Sequence, residues 1–428
     1  MIESEVVLLG SLLILILLKV PIAFALMFAS ILTIFHMDLD IFLVTQKLVE
    51  GVRSVPLLAI PFFVMAGEIM AKGGLTRRLL TFSNALIGHV QGGLAMVNVV
   101  ASMFFGGVSG SSVADVSAIG SMLIPAMDEK GYDKDFSVNV TITSSQQGII
   151  IPPSHNAIIY SLAAGGVVSV RELFMAGIIP GISIGLALMF VSYLIARRRG
   201  YPTEDSFSIV RAFKTGSSAI VGLFAFLIII GGITFGIFTA TEASAVAVVY
   251  ALFVALFVYK EIKIDDIYDI LIDSIKTITI VMFLIGSANI YGWLLSFLRV
   301  PGNVTEFLIG ISDHRIVVFL LINLFLLLLG TIMDMAPLIV ITTPILLPVV
   351  TEFGMSPVQF GIMLLLNLGI GLCTPPVGTA LFVGTSVGET TIENVVKGIW
   401  PFYLAMIVVL LLTTFVPQFS LLIPNLLF

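Results

Sequence analysis

The chain has 428 residues, 58% of them hydrophobic and only 11% charged, with a formal net charge of −6. Soluble domains carry about 25% charged residues, so a soluble globular fold is excluded and a chain built into a lipid bilayer is expected. A single cysteine, Cys373, leaves no intrachain disulfide and no cysteine-based metal cluster, no G-x-x-x-x-G-K-[ST] stretch offers ATP a site, and no nucleic-acid partner is expected.

Residues 5–35 form an apolar run with Glu5 and Lys19 as its only charges, longer than the roughly 20 residues one span needs. The first five residues hold two glutamates and no basic residue, unlike the n-region of a cleaved signal peptide, so the first span is expected to stay. Next, Ile41, Val44, Leu48 and Val52 oppose Gln46, Lys47, Glu50 and Arg53, a spacing that predicts a helix in the interface plane over 41–54. The apolar stretch 92–127 would be about 54 Å long as one helix, nearly twice a bilayer core. It is read as two half-length helices folded into a re-entrant hairpin with its tip at Gly107-Val108-Ser109-Gly110-Ser111-Ser112. A span over 138–165 follows, broken at Pro152-Pro153, since proline removes a donor and clashes with the preceding turn. The apolar run 174–195 completes the first half.

The segment 196–215 holds Arg197, Arg198, Arg199, Arg211 and Lys214 and is read as a cytoplasmic linker by the positive-inside rule. Beyond it the pattern returns. Apolar spans fill 217–258, with a polar break near Glu242, and Ile264, Ile267 and Leu271 oppose Asp266, Asp269, Asp273 and Lys276 in a second interfacial stretch over 264–276. A span over 277–298, a hairpin over 315–353 with its tip at Gly330–Met335, a span over 358–388 broken at Pro375-Pro376, and a last span over 399–417 complete the chain. Pro-Pro occurs only at 152–153 and 375–376, an offset of 223 that also brings Gly107 onto Gly330, Pro125 onto Pro348 and Gly148 onto Gly371. The expected fold class is therefore an all-α polytopic membrane protein of two repeats, residues 1–195 and 216–428, each with about five crossings plus a re-entrant hairpin. An odd number of crossings turns the second repeat upside down relative to the first, an arrangement found in secondary transporters. With the linker inside, the N-terminus lies outside, and Lys72, Arg77 and Arg78 lie inside.

Broken backbone inside a membrane is tolerated only where something else satisfies its polar groups. Carbonyls and hydroxyls suit a bare Na⁺, and helix N-termini favour an anion. One Na⁺ site is expected from Gly107, Ser109, Gly110, Ser111, Ser112, Pro152, Ser154 and Asn156. A second is expected from Gly330, Thr331, Asp334, Thr374, Pro376, Gly378 and Thr379. Ser111, Ser112, His155, Asn156 and Thr379 are the expected substrate contacts. Asp334 is an intramembrane carboxylate, functional by default because its burial is expensive. It either ligates the second Na⁺ or caps the following half-helix. Asp115 carries the same ambiguity, weighted towards capping. A rival reading takes Gly107-Val108-Ser109-Gly110 with His155 as the serine–histidine dyad of a rhomboid-like intramembrane protease, but the second half repeats no such dyad.

The motifs Ile60-Pro61-Phe62-Phe63, Ala66-Gly67-Glu68-Ile69-Met70, Gly73-Gly74-Leu75, Thr239-Ala240-Thr241-Glu242-Ala243, Ile151-Pro152-Pro153-Ser154 and Thr374-Pro375-Pro376-Val377-Gly378 carry a resemblance. Across essentially its whole length the chain resembles the DctM-type large permease of tripartite ATP-independent periplasmic (TRAP) transporters. That resemblance implies an elevator-type, Na⁺-driven importer in a bacterial inner membrane and no enzyme. It further implies a small four-helix DctQ-type membrane subunit and a periplasmic binding protein. The implied substrate is an organic anion such as a C4-dicarboxylate or a sugar acid, sialic acid included.

Overall fold

A computed structural model describes residues 2–204 and 206–428, all of them helical or connecting. The chain opens with α1 (Ile2–Leu17), α2 (Ile22–His36), α3 (Phe42–Val52), α4 (Ala59–Lys72) and α5 (Leu75–Ile87). The first hairpin is α6 (Gly93–Ser109) and α7 (Ser112–Glu129), and the broken segment is α8 (Lys134–Ser144), α9 (Gln147–Ile150) and α10 (His155–Ala163), followed by α11 (Val170–Arg199). The second half runs α12 (Ile209–Thr234), α13 (Ala240–Phe253), α14 (Asp266–Phe297) and α15 (Val300–Ile311). Its hairpin is α16 (Arg315–Gly330) and α17 (Met335–Glu352), its broken segment α18 (Pro357–Leu372) and α19 (Thr379–Val387), and α20 (Ile392–Gly398), α21 (Trp400–Phe415) and α22 (Gln418–Leu427) close the chain.

Local chemistry sets the long helices. The Ser169 hydroxyl accepts from the Glu172 amide while the Glu172 carboxylate accepts from the Ser169 amide, a capping box that starts α11. Thr239 and Glu242 start α13 in the same way. Glu242, beside which the sequence shows a polar break, is therefore a cap. At the other end of α11, Arg197, Arg198 and Arg199 fill the last turn and complement its dipole, and Gly200 stops the helix at φ 72°.

The ends gather on two faces. On one, Arg199 pairs with Asp133 and Asp135 (2.7 and 3.2 Å), Arg77 and Arg78 with Glu261 (2.6 and 3.3 Å), and Lys72 with Asp273 (2.8 Å). Both capping boxes lie on the other, where the Thr241 hydroxyl donates to the Val55 carbonyl. Two hydrophobic cores form. The larger joins both hairpins, both broken segments and α11, and the smaller packs α1 and α2 against α14 through Leu8, Ala25, Leu26, Tyr291 and Leu294.

Four expectations change. The first interfacial helix is separate, but the second is the opening of α14, which continues for 32 residues without a break, because no glycine or proline interrupts 264–285. Two amphipathic helices, α5 and α15, stand where the sequence reading placed none, each between a span and a hairpin. The linker shrinks to residues 200–208, since α11 and α12 extend into it. It is also pinned to the first hairpin: the Gly92 amide and the Tyr132 hydroxyl donate to the Pro202 carbonyl, and the Glu204 amide donates to Gly88. Finally, the repeat slips by one residue within the hairpin, as the contacts below show.

Candidate functional site: two hairpin tips against two broken helices

Each hairpin meets its broken segment backbone to backbone. A Cβ on Gly106 would lie 2.2 Å from the Gly148 Cα, and a Cβ on Gly371 would lie 2.6 Å from the Gly330 Cα. Any side chain there would force the helices apart, so glycine is required at the crossing. Gly148 and Gly371 keep the 223 offset, but the partner of Gly371 corresponds to Gly106 rather than Gly107. Gly107 instead abuts Phe226 of α12 and the Pro152 carbonyl.

At the first tip, Gly110 turns the chain at φ 62°. A Cβ there would lie 3.0 Å from His155 Nδ1 and 3.2 Å from the Pro153 carbonyl oxygen, so the tip rests on the proline break. Ser111 caps α7 by accepting from the Ala114 amide. Ser154 caps α10 by accepting from the Ala157 amide, and its hydroxyl donates to the Ile149 carbonyl. Ser112 lies deeper. Its hydroxyl is 2.7 Å from that of Ser145 and accepts from Gln146 Nε2 at 2.8 Å. Ser112 and Asn156 are only 4% and 5% exposed, so in this structure they support the tip from within. Asp115 is buried below the tip, and neither of its oxygens has a hydrogen-bond partner among the described residues.

At the second tip, the Val377 amide donates to the Thr331 carbonyl at 3.0 Å, tying the turn to the second Pro-Pro break. Asp334 stands at the N-cap position of α17 without a side-chain cap bond. Its Oδ1 lies 3.4 Å from the Thr379 hydroxyl, which donates to it, and the residue is exposed. Gly378 adopts φ 22° and packs against the carbonyls of Leu372 and Thr374. The Thr331 and Thr374 hydroxyls donate back to the Leu328 and Ile370 carbonyls, both at 2.8 Å. The Pro376 side of the break is exposed beside Val377.

The two broken segments cross at Gln146 and Cys373, which sequence reasoning did not single out. Gln146 Nε2 approaches Cys373 Sγ at 3.0 Å, Cys373 Sγ donates to the Ile142 carbonyl at 3.1 Å, and the Tyr403 hydroxyl donates to the Cys373 carbonyl at 2.6 Å. They lie 227 positions apart in the chain, and no local pattern marks them as partners. Gln146 therefore links the first tip, through Ser112, to the residue just before the second proline break.

This architecture has known counterparts. A model of the DctM component of tripartite ATP-independent periplasmic transporters matches residues 9–419. The chain belongs to the TRAP transporter large permeases. It is 36% identical to the C4-dicarboxylate TRAP transporter large permease protein DctM of Rhodobacter capsulatus, with 99% of each chain covered. It is 37% identical to the sialic acid TRAP transporter large permease protein SiaM of Vibrio cholerae, with 95% of each covered. It is also 40% identical to the isethionate TRAP transporter permease protein DctMQ of Oleidesulfovibrio alaskensis, covering 93% of this chain and 63% of that longer protein. In fold it is similar to the Alcanivorax borkumensis YdaH transporter, with a TM-score of 0.62, 14% identity, and 88% and 87% of the two chains covered.

A TRAP permease is a multi-pass transporter of the bacterial inner membrane and not an enzyme, which removes the protease reading. The geometry agrees: the Ser109 hydroxyl lies 3.5 Å from the Ser111 carbonyl, and no hydrogen bond joins it to His155 among the described residues. The tips offer backbone carbonyls, hydroxyls and one carboxylate, the oxygen donors a hard monovalent cation takes. Among the described residues no three His, Cys, Asp or Glu side chains gather as a metal group.

Proposed function

We propose that this permease is a Na⁺-coupled secondary importer of small organic anions, in which each hairpin tip and its facing proline break hold one Na⁺. The observation that carries the reading is the paired glycine crossing, Gly106 on Gly148 and Gly330 on Gly371. At each, a backbone turn that would be intolerable in lipid is braced against a second broken helix. Site one rests on Gly107, Ser109, Gly110 and Ser111 with Pro152 and Ser154, and Ser112 and Asn156 support it from behind. Site two rests on Gly330, Thr331 and Asp334 with Thr374, Pro376, Gly378 and Thr379. Ser111, His155 and Thr379 are the nearest polar groups for the anion. The positive-inside rule puts the Arg197–Arg199 face in the cytoplasm.

The smaller core, which joins α1, α2 and α14 and holds no residue of the first hairpin or of either broken segment, supports an elevator in which the hairpins and broken segments move against that scaffold. The covered share of the longer DctMQ protein supports a small DctQ-type membrane subunit as partner, and the family name supports a periplasmic binding protein that delivers the anion. The relatives' substrates, a C4-dicarboxylate, sialic acid and isethionate, share an anionic head on a polar body.

The test is reconstitution with both partner proteins in proteoliposomes. Uptake of a dicarboxylate, sialate or isethionate is expected to need an inward Na⁺ gradient. Uptake unchanged after replacement of Na⁺ by choline at fixed pH would refute Na⁺ coupling.

A further inference from the structure

A cavity away from the tips has a volume of about 1100 Å³. It opens on the face of the two capping boxes, opposite the arginine-rich linker. One wall is α3 and the second half of α14, and the other is α10, the turn into α11, and Val340 and Pro344 of α17. Three charged side chains line it, Lys47, Glu50 and Arg171, so its net charge is positive.

The charged groups stand among aromatic and polar partners. Lys47 Nζ pairs with Glu50 at 2.7 Å and stands 5.9 Å above the ring of Trp293. Asn289 donates to the Lys47 carbonyl at 2.7 Å, and Gly51 lies flush on Asn289, which together fix this part of α3 on α14. Across the cavity, Arg171 donates to the Thr234 carbonyl and lies on the Phe428 ring, yet its Nε is buried without a partner. An ammonium beside an indole face suits an anionic head joined to a larger body. The wall is also continuous with the first tip. Ile159, which lines it, follows His155 by one helical turn, about 6 Å.

We propose that this cavity is a receiving site for the organic anion, filled before the hairpin sites. Lys47 holds the carboxylate or sulfonate, Trp293 packs on the body of the ligand, and Arg171 supplies the second positive charge. Glu50 is the internal competitor for Lys47, displaced when the anion arrives. The proposal rests on the reading that the permease carries organic anions, but it concerns a site that needs no Na⁺, because Lys47 brings the charge itself.

The chain has two tryptophans, Trp293 and Trp400, so a Trp400→Phe background leaves Trp293 as the reporter. The full chain in zwitterionic nanodiscs is titrated with succinate, sialate and isethionate in choline chloride. At least one is expected to change Trp293 emission saturably, and the change is lost in Trp293→Phe. Lys47→Gln should weaken that ligand about tenfold, Lys47→Arg should keep it, and Glu50→Gln should tighten it. Opposite signs at Lys47 and Glu50 separate a binding role from a structural one, since breaking a purely structural pair moves both variants the same way. A response to none of the three, a response equal in Lys47→Gln, or a response that appears only with Na⁺ would overturn the receiving site. Loss of Na⁺ dependence in the uptake assay would instead refute the coupling proposal and leave this titration unchanged.

Discussion

The two hairpins share one backbone plan and finish it with opposite chemistry. The first tip is backed by a buried relay, Ser112 to Ser145 and Gln146 and on to Cys373, with its carboxylate, Asp115, sunk below the turn. The second shows no such relay among the described residues; its Thr331 and Thr374 hydroxyls bond back to their own helices, and an exposed carboxylate, Asp334, stands at the turn itself and accepts from Thr379. The first tip is therefore held in shape by neutral hydrogen bonds, each worth about 1 kcal/mol net and more if orphaned. At the second, shape comes from the glycine crossing and the Val377–Thr331 backbone bond, and the carboxylate accepts one long bond, from Thr379 at 3.4 Å.

The largest effect should come from removing what the two tips share. Gly371→Ala places a methyl carbon 2.6 Å from Gly330 backbone atoms, which cannot rotate away. Overpacking of this kind costs about 1–3 kcal/mol, and the displaced turn should abolish Na⁺-driven uptake. Gly148→Ala, with Gly106 Cα at 2.7 Å, should behave alike. Thermal unfolding and uptake measured on both variants check this, and near-normal uptake in either would show that its crossing can relax.

A smaller effect should distinguish the tips. Asp334→Asn keeps size and removes charge, so the Na⁺ concentration for half-maximal uptake should rise about ten- to a hundredfold, the worth of a charged contact of about 1.5–3 kcal/mol. Normal Na⁺ dependence in folded protein would leave Asp334 a helix-end residue only. Ser109→Ala should do much less, raising the half-maximal Na⁺ concentration by roughly fivefold at most, because its hydroxyl makes only long bonds to the Ser111 backbone, donating to the carbonyl at 3.5 Å and accepting from the amide at 3.4 Å. Sodium titrations of the two variants side by side test the contrast, and equal losses would erase it.

Much of this plan was legible because it is written in residues with one physical meaning. Two Pro-Pro pairs, the glycines beside them and apolar runs too long for one span marked both breaks and both hairpins. The rest was hidden for identifiable reasons. Ser111, Ser112 and Ser154 looked equivalent as hydroxyls, and only the fold shows two of them capping helices while Ser112 enters a buried relay. Gln146 sits in an unremarkable polar run, and its role depends on a partner 227 positions away. The helix α5 was readable from Leu75, Leu79 and Leu80 set against Arg77 and Arg78, but its 13 residues are too few for the span that hydropathy marks. The slip from Gly107 to Gly106 was invisible because neighbouring glycines satisfy either register.

The smallest effect lies at the hairpin bases, where the comparison continues. The first base is clamped to the linker and the end of α11: Lys130 lies 3.5 Å from Glu204, and Asp133 meets Arg199 at 2.7 Å and the Tyr201 hydroxyl at 2.6 Å. Among the described residues no ion pair reaches the second base, between Glu352 and Pro357. The hydrogen bond from Tyr201, and then Arg199, hold the Asp133 carboxyl below its ordinary 3.8. A carboxyl depressed in the folded state adds stability above its unfolded pKa and loses it as the pH falls through the folded value. The contribution should therefore be complete at neutral pH and vanish below 3.8. Asp133 is more than half exposed, so solvent screening limits the loss in Asp133→Asn to about 0.5 kcal/mol. Unfolding midpoints of the two proteins should differ slightly at pH 7 and converge in acid, with Na⁺ dependence unchanged at both tips. A gap that persists below the folded pKa would mean that Asp133 acts through its shape and neutral hydrogen bonds, and that the clamp at the first base is not electrostatic.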